Sequence, residues 1–147
     1  MIIIAHRGNL DGSNPDKENH PDYIVEAIKA GFNVEIDVWN VDNKYYLGHD
    51  EPQYEVTLDF LSEPQYWLHC KNIKALHYLV DCAHCWNYGP CFYHNTDDAV
   101  LTSHGWLWTY PGKEITNTSI AVMPETVPNW NYTKAAGVCT DFPRKYQ

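Results

Sequence analysis

Three short segments of this 147-residue chain join apolar residues to side chains that can carry out acid–base and metal chemistry. His6-Arg7-Gly8 directly follows an apolar run, Glu35 and Asp37 alternate with apolar residues, and His49-Asp50 follows a glycine. Imidazoles can move protons, and carboxylates can hold a metal ion. These residue types are suited to chemistry on a phosphate group.

The spacing of Glu35 and Asp37 makes a cation their expected partner. Side chains alternate along a strand, so the two carboxylates face the same way, about 6.6 Å apart at roughly 3.3 Å per residue. Burying both without compensation is costly, and a divalent cation between them is the simplest remedy. With His6 and His49 on either side, the arrangement suits phosphodiester cleavage, in which one imidazole acts as base and the other as acid.

Short apolar segments must position these side chains. Strands are predicted over residues 1–5, 33–39, 44–48, 65–71, 91–94, 106–110, 119–123 and 137–140. A helix is predicted over 20–31, since Pro21 suits the first helical position, Ile24, Ala27 and Ile28 share a face, and Gly31 can end it.

Two further helices are predicted. The first covers 73–83 and has Ile73, Leu76, Val80 and Ala83 near one face. The second is short and runs from 95 or 96 through 103, ending at Gly105. Strands alternating with helices are typical of a parallel α/β fold in one domain, 1–147. A full (β/α)₈ barrel needs about 250 residues, so a barrel of this length would be shortened and would lack several outer helices.

A shortened barrel would leave some strands without packed helices, so other side chains would have to bury their apolar faces. Five aromatic residues are concentrated between residues 106 and 132. They are Trp106, Trp108, Tyr110, Trp130 and Tyr132. Homo-oligomerisation through an exposed aromatic surface is therefore one hypothesis.

Composition narrows the class of partner and the compartment. The formal net charge of −9 excludes extended nucleic acid as a partner, while a small anionic ligand could bind where positive charge is concentrated. No apolar run approaches about 20 residues and no signal peptide is recognisable, so we expect no stable membrane insertion and a cytoplasmic location.

The five cysteines are odd in number and irregularly spaced, and they are predicted to be reduced thiols. Cys82 and Cys85, followed by Cys91, have a zinc-like spacing. A plain helix face is the favoured interpretation, because no second Cys-x₂-Cys pair follows.

The order of these motifs resembles the glycerophosphodiester phosphodiesterase family, within the wider group of barrel enzymes that includes phosphatidylinositol-specific phospholipases and sphingomyelinase D. The matching segments are His6-Arg7-Gly8, Glu18-Asn19, Glu35-Ile36-Asp37-Val38, Asp42-Asn43, His49-Asp50, Lys71 and 137–143. The resemblance implies a shortened parallel (β/α) barrel of the TIM type, with about seven or eight strands.

The resemblance also implies roles for individual residues. His6 and His49 would be the general acid and base, Glu35 and Asp37 would bind a divalent metal, and Arg7 and Lys71 would balance phosphate charge. In that family a hydroxyl of the substrate's own glycerol is thought to attack phosphorus. The alcohol leaves, and water then opens the resulting cyclic phosphate. The expected partner is thus a small-molecule phosphodiester of lipid metabolism.

The third strand departs from the family pattern at one position, and Lys17 stands where the family commonly has a proline before Glu18-Asn19. Two residues before Lys71, where the family usually has a glutamate that binds the metal, this chain has His69. An imidazole removes one negative charge and adds a softer nitrogen donor. The cofactor is therefore Mg²⁺, Ca²⁺ or Mn²⁺, with Mn²⁺ or Zn²⁺ favoured if His69 is a ligand.

Two other functions stay open at this point. The same architecture could act on a phospholipid head group, although no apolar membrane-docking loop is evident. A degenerate barrel could also keep its pocket as a phosphate-binding module without turnover. Intact His6 and His49 argue against that interpretation, and the missing glutamate argues for it.

Overall fold

Ten strands form a single sheet in the computed structural model, which describes residues 1–82 and 88–147. The strands are β1 (Ile2–His6), β2 (Asn33–Val41), β3 (Lys44–Leu47), β4 (Tyr54–Val56), β5 (Tyr66–Cys70), β6 (Cys91–Tyr93), β7 (Ala99–Leu101), β8 (Leu107–Thr109), β9 (Ser119–Val122) and β10 (Gly137–Thr140). The helices are α1 (Pro21–Lys29), α2 (Leu58–Leu61) and α3 (Ile73–Cys82), and short 3₁₀ turns cover Pro124–Thr126 and Pro143–Tyr146.

Seven of the strands run parallel, in the order β6-β5-β2-β1-β10-β9-β8. β3 pairs antiparallel with the carboxyl-terminal half of β2 and carries β4 on its other edge, while β7 pairs antiparallel with β8. Every predicted strand is present, and the predicted mixed α/β class is confirmed.

The sheet curls until its two ends approach each other. β6 and β8 lie at opposite ends of the parallel run, yet the rings of Phe92 and Trp108 are 4.6 Å apart between centroids. Ser103, just after β7, connects the same ends: its N–H donates to the carbonyl oxygen of Cys91 (2.9 Å), and its Oγ accepts from the N–H of Cys91 (3.0 Å). The sheet is therefore strongly curled, with a concave inner face and a convex outer face.

Strand alternation separates an inner core from an outer core. The inner core lies inside the curl and contains Ile4, Trp67, Phe92, Trp108, Ile120, Val122 and Cys139. The outer core lies between the convex face of β1, β2 and β5 and the helices. Burial of each large apolar side chain contributes about 1.5–3 kcal/mol. On β2, Ile36 and Val38 belong to the outer core, so Glu35 and Asp37 point inward.

Helix α1 forms as predicted. Pro21 occupies its first turn, the side chain of His20 accepts a hydrogen bond from the N–H of Asp22, and Ile24 and Ala27 are buried. Helix α3 also forms, but of its predicted apolar face Leu76 packs against the outer core while Ile73 and Val80 do not. Ala75 and Leu79 enter the outer core, whereas Ile73 and Val80 are 61% and 41% exposed. The predicted face of α3 and the face that carries Ala75 and Leu79 are both apolar. The small side chain of Ala75 allows its face to approach the sheet more closely.

The predicted helix between 95 and 105 is wrong. This segment forms strand β7 and a turn that ends at Gly105, because Val100 pairs with Trp108 and packs against the inner core. β4 and α2 are present without having been predicted. Thr57 caps α2, its Oγ1 accepting from the N–H of Phe60 (3.1 Å).

The five aromatic residues considered for self-association are buried or half-buried. Trp108 lies in the inner core, Trp106 and Tyr110 pack against it, and the ring of Trp130 contacts that of Tyr132 at a tilt of 57°. Homo-oligomerisation stays a prediction. Cys85 lies outside the described residues, so the zinc-like spacing is not tested. No helix within residues 1–82 and 88–147 has the length and apolarity to cross a membrane.

Candidate functional site

Strand register determines which polar side chains become neighbours. His6 ends β1 opposite Glu35 on β2, and Asp37 on β2 lies opposite His69 on β5. Side chains that are opposite in parallel strands point to the same face. The carboxyl ends of β1, β2 and β5 therefore bring four polar groups to one end of the inner core.

Glu35, Asp37 and His69 form a buried cluster that could hold a metal ion. One ligand atom from each residue lies within 4.8 Å of the others. His69 Nδ1 is 3.2 Å from Asp37 Oδ1 and 3.4 Å from Glu35 Oε1. The carboxylates are almost inaccessible, at 2% exposure for Glu35 and 0% for Asp37. The structure thus brings together the three residues predicted as metal ligands; that they bind a metal stays a prediction.

Asp37 is the most heavily contacted group of this cluster. The amide of Asn19 donates to Asp37 Oδ2 (2.8 Å), and its carbonyl oxygen accepts from the N–H of Asp37 (2.9 Å). Arg7 Nε is 3.1 Å from Oδ2, and Lys71 Nζ is 3.5 Å from Oδ1. Burial alone would raise the pKa of Asp37, but the neighbouring imidazole of His69 and the positive charges of Arg7 and Lys71 hold that pKa well below its ordinary range. Asp37 is therefore ionised at neutral pH.

Charge balance in this cluster does not require a cation, contrary to the sequence argument. Arg7 and Lys71 already oppose the two buried carboxylates. Burial alone would lower the pKa of His69, but Asp37 and Glu35 raise it overall, so His69 can add a third positive charge. A metal ion would have to compete with these groups rather than fill a purely negative site.

The donor atoms nevertheless fit a divalent cation. Asp37 Oδ1 is buried, and no well-oriented hydrogen bond reaches it within the described residues, although His69 and Lys71 lie at ion-pair distance. A lone pair of this oxygen is therefore available. Two carboxylates and one imidazole form a mixed oxygen and nitrogen set, which suits Mn²⁺ or Zn²⁺.

His6 is paired with an acid that directly follows the neighbouring strand β10 rather than with the cluster itself. His6 Nδ1 lies 2.8 Å from Asp141 Oδ1, which also accepts from the amide of Asn9 (2.8 Å). Burial alone would lower the pKa of His6, but the hydrogen bond to Asp141 and the charge of Glu35 raise it overall. With Nδ1 donating to Asp141, Nε2 is left to exchange a proton with a ligand.

Asp141 is a site residue to which the sequence assigned no role. It directly follows β10, as the polar residues of the site follow the other inner strands, and that position was the available signal. Glu125 Oε1 holds this turn by accepting from the N–H of Asp141 (2.9 Å) and from Thr140 Oγ1 (2.7 Å). The carboxylate of Asp141 is thus fixed against the His6 ring.

Arg7 connects the His6–Asp141 pair to the loop that follows β1. Its backbone is left-handed (φ 51°), and its N–H donates to the carbonyl oxygen of Glu35 (3.0 Å). Its Nη1 donates to Glu18 Oε2 (3.0 Å), and Asn9 and Ser13 donate to the other oxygen of Glu18. The guanidinium is thereby held between Glu18 and Asp37, at the entrance to the cluster.

His49 lies across the entrance, on the loop after β3. It shares with Arg7 the lining of a cavity of about 340 Å³, together with Asp50, Glu18 and Asn19. Its Nδ1 contacts Asp50 Oδ1 (2.6 Å), and its side chain is 43% exposed. Within the described part of the chain, neither a hydrogen bond nor a ring contact joins His49 to His6. The structure therefore gathers six predicted residues closely and places His49 at the rim.

This arrangement offers a cavity in which Arg7 lies among the carboxylates of Glu18, Asp50 and Glu51, together with a buried cluster able to bind a cation and two imidazoles that can exchange protons. A cation site and groups that exchange protons are used in the hydrolysis of phosphate esters. Comparison with known proteins finds no family model, curated protein or solved structure that matches this chain.

Proposed function

We propose that the protein is a metal-dependent phosphodiesterase that hydrolyses glycerophosphodiesters to an alcohol and glycerol phosphate. The observation that carries this proposal is the meeting of the Glu35, Asp37 and His69 cluster with the His6–Asp141 pair at one end of the inner core. The resemblance of its motifs to the glycerophosphodiester phosphodiesterases supports the choice of substrate.

The proposal includes a shortened (β/α) barrel of the TIM type. Seven parallel strands, the curl of the sheet and the two cores support it. The candidate residues lie at the carboxyl ends of the strands, where enzymes with this fold have their active sites.

In the proposed first step, His6 Nε2 takes the proton of a glycerol hydroxyl, and that oxygen attacks phosphorus. The bond from phosphorus to the leaving alcohol breaks, and His49 donates the proton that this alcohol needs. In the second step, His49 takes a proton from water, whose oxygen opens the cyclic phosphate, and His6 returns its proton to the glycerol oxygen. Arg7 and Lys71 hold the phosphate by charge.

Glu35, Asp37 and His69 would hold the divalent cation, which when bound would stabilise negative charge on the phosphate oxygens. Asp141 and Asn19 would act as positioning residues, because they orient His6 and Asp37 respectively.

A phosphate-binding protein without turnover is the second candidate function. Two observations favour it: Arg7 and Lys71 already neutralise the buried carboxylates, and no contact joins His49 to His6 in the described residues. Such a protein would bind a phosphate ester through its basic groups and release it unchanged.

Hydrolysis assays separate the two functions. The protein is incubated with glycerophosphocholine, glycerophosphoethanolamine and bis(p-nitrophenyl) phosphate in Mn²⁺, Mg²⁺ or Ca²⁺. We expect turnover to be fastest in Mn²⁺ and to fall by at least about 100-fold, the low end for a lost acid or base, in His6→Gln and Glu35→Gln. His77→Gln and Glu55→Gln are the matched controls, because both residues are exposed and lie outside the site. Binding without turnover in every metal would contradict the enzyme and support the second function.

A further inference from the structure

The carboxyl ends of the inner strands form the open end, or mouth, of the curled sheet. One half of this mouth is uncharged, and the proposed mechanism does not use it. His94 directly follows β6, and Tyr110 directly follows β8. They stand two residues after Phe92 and Trp108 of the inner core, so strand alternation brings them to the same inner face. His94 and Tyr110 therefore lie beyond Phe92 and Trp108, toward the carboxyl ends of the strands and above the apolar core.

Ring contacts join these two residues to the candidate metal cluster. The ring centroids of His94 and Tyr110 are 4.2 Å apart, and those of His94 and His69 are 5.3 Å apart. Tyr110 thus reaches the cluster through His94. Both residues are half-buried, so parts of their rings remain accessible at the mouth.

Each of these rings carries a polar atom without a partner. His94 Nδ1 and Tyr110 Oη are both buried, and neither has a hydrogen bond to any described residue. The large majority of buried side-chain polar atoms in folded proteins have a hydrogen-bond partner. Two unpaired atoms on touching rings beside the candidate active site indicate a missing partner at this place.

The chemistry of the two groups indicates what that partner is. A phenol and an imidazole both donate and accept hydrogen bonds, and a hydroxyl group complements them. The two rings contact each other at an interplanar angle of 37°, and each carries a polar edge atom without a partner, so the pair is better suited to hydrogen bonding than to the aromatic cage that binds a quaternary ammonium group.

We infer that His94 and Tyr110 form a subsite for a hydroxyl group of the substrate, the outer hydroxyl of its glycerol portion. This inference rests on the proposed function. The phosphate would lie in the charged half beside Arg7 and Lys71, and the glycerol would extend toward β6 and β8. A small shift of either ring would bring its free atom onto the bound hydroxyl.

Binding of two phosphate esters tests the subsite. sn-Glycerol 3-phosphate and propyl phosphate have the same carbon chain, but only the first carries hydroxyl groups. Calorimetry in Mn²⁺ should show tighter binding of glycerol 3-phosphate to the wild-type protein. Tyr110→Phe should weaken that binding by about fivefold to tenfold, as expected for one lost hydrogen bond, and should change propyl phosphate binding by less than about twofold.

Tyr93→Phe is the matched control, because Tyr93 lies one residue from His94 but packs against the outer core. It should change neither affinity. His94→Leu should reduce the preference for glycerol 3-phosphate in the same way as Tyr110→Phe. If Tyr110→Phe and His94→Leu leave the preference unchanged, or weaken both ligands equally, the subsite is contradicted. If the wild-type protein binds neither ester, the proposed function fails, and this inference fails with it.

Discussion

Asp141 changes what His6 can do. Without a partner, a buried imidazole favours its neutral form, since burial penalises the charged one. Contact with the Asp141 carboxylate at 2.8 Å reverses this preference and fixes the ring with Nδ1 toward the acid. The same contact holds the pKa of Asp141 below its ordinary value, although burial would raise it. The two residues therefore titrate as partners.

The contribution of this pair to stability should depend on pH. The folded-state pKa of His6 is raised, so its stabilisation is full below the unfolded value of about 6.5 and is lost as pH rises through the folded value. The pKa of Asp141 is lowered, so its stabilisation is present above the unfolded value of about 3.9 and is lost as pH falls through the folded value. Together they contribute most at about pH 5–6.

Asp141→Asn should accordingly lower the free energy of unfolding by about 1.5–3 kcal/mol at about pH 5.5, the range for a charged hydrogen bond, and by less at about pH 9. Urea denaturation at both pH values measures this difference. Asp59→Asn, at an exposed position on α2, should show no such pH dependence. An equal loss for Asp141→Asn at both pH values would show that the charge of His6 is not involved.

Lys71 should oppose metal binding and favour phosphate binding. Its Nζ lies 3.5 Å from Asp37 Oδ1, the oxygen that is available to a cation. Unit charges about 4 Å apart repel by about 4 kcal/mol at an effective dielectric constant of 20. Lys71→Met should therefore tighten Mn²⁺ binding by about tenfold or more and weaken propyl phosphate binding, both measured by calorimetry. Lys44→Met, at an exposed ion pair with Glu55, is the control. Weaker Mn²⁺ binding by Lys71→Met would mean that the ammonium does not compete with the cation.

At the scale of single residues, the sequence could predict which side chains lie close together but not how their charges balance. The alternation of Glu35 with Ile36 was enough to turn the acids inward. Arg7 was predicted to balance phosphate charge, and that role stays a prediction; what the sequence did not indicate is that the guanidinium lies between Glu18 and Asp37. That arrangement depends on the fold of the first loop, on which the strand pattern gives no information.

At the scale of elements, a turn after β3 places His49 at the rim. Gly48 has φ 148°, and a Cβ there would meet the carbonyl oxygen of Glu51 at 2.1 Å. The carbonyl oxygen of Gly48 also accepts a hydrogen bond from Trp39 Nε1 (2.7 Å). The loop that carries His49 thus depends on a residue without a side chain.

Gly48→Ala should displace His49 while leaving the metal cluster intact. We expect turnover to fall by at least about tenfold, Mn²⁺ affinity to stay within about twofold, and the free energy of unfolding to fall by about 1–3 kcal/mol from backbone strain. Gly31→Ala is a matched control: its φ is 92°, but a Cβ there meets no atom within 4 Å. Gly31→Ala should lose some stability and keep full turnover. Full turnover in Gly48→Ala would remove His49 from the mechanism.

Hydrophobic periodicity predicted the strands of the parallel part of the sheet. It failed where the structure of a segment depends on the element with which it pairs or packs. Segment 95–105 has helix-capping residues, but an adjacent edge of β8 makes it a strand. Helix α3 has two apolar stripes, and only the packed structure determines that Ala75 rather than Ile73 is buried. Short elements such as α2 carry too few residues for a periodic signal.

At the scale of the whole molecule, the curl of the sheet joins a charged half of the mouth to an aromatic one. β1, β2, β5 and β10 supply the acids and bases, whereas β6 and β8 supply His94 and Tyr110. Below His94 and Tyr110, the ring contact between Phe92 and Trp108 forms the bottom of the mouth. The order of strands around this mouth, and so the division into two halves, requires the sheet topology and could not be read from any single motif.

Anomalous X-ray diffraction from crystals grown with Mn²⁺ and glycerol 3-phosphate tests the central claim most directly. We predict one manganese peak in contact with Glu35, Asp37 and His69, with the phosphate on the same ion and Lys71 displaced from Asp37 Oδ1. Crystals of Glu35→Gln should lose the peak, and those of Glu55→Gln should keep it. A wild-type structure with phosphate bound, Lys71 still on Asp37 and no manganese in the cluster would contradict the claim.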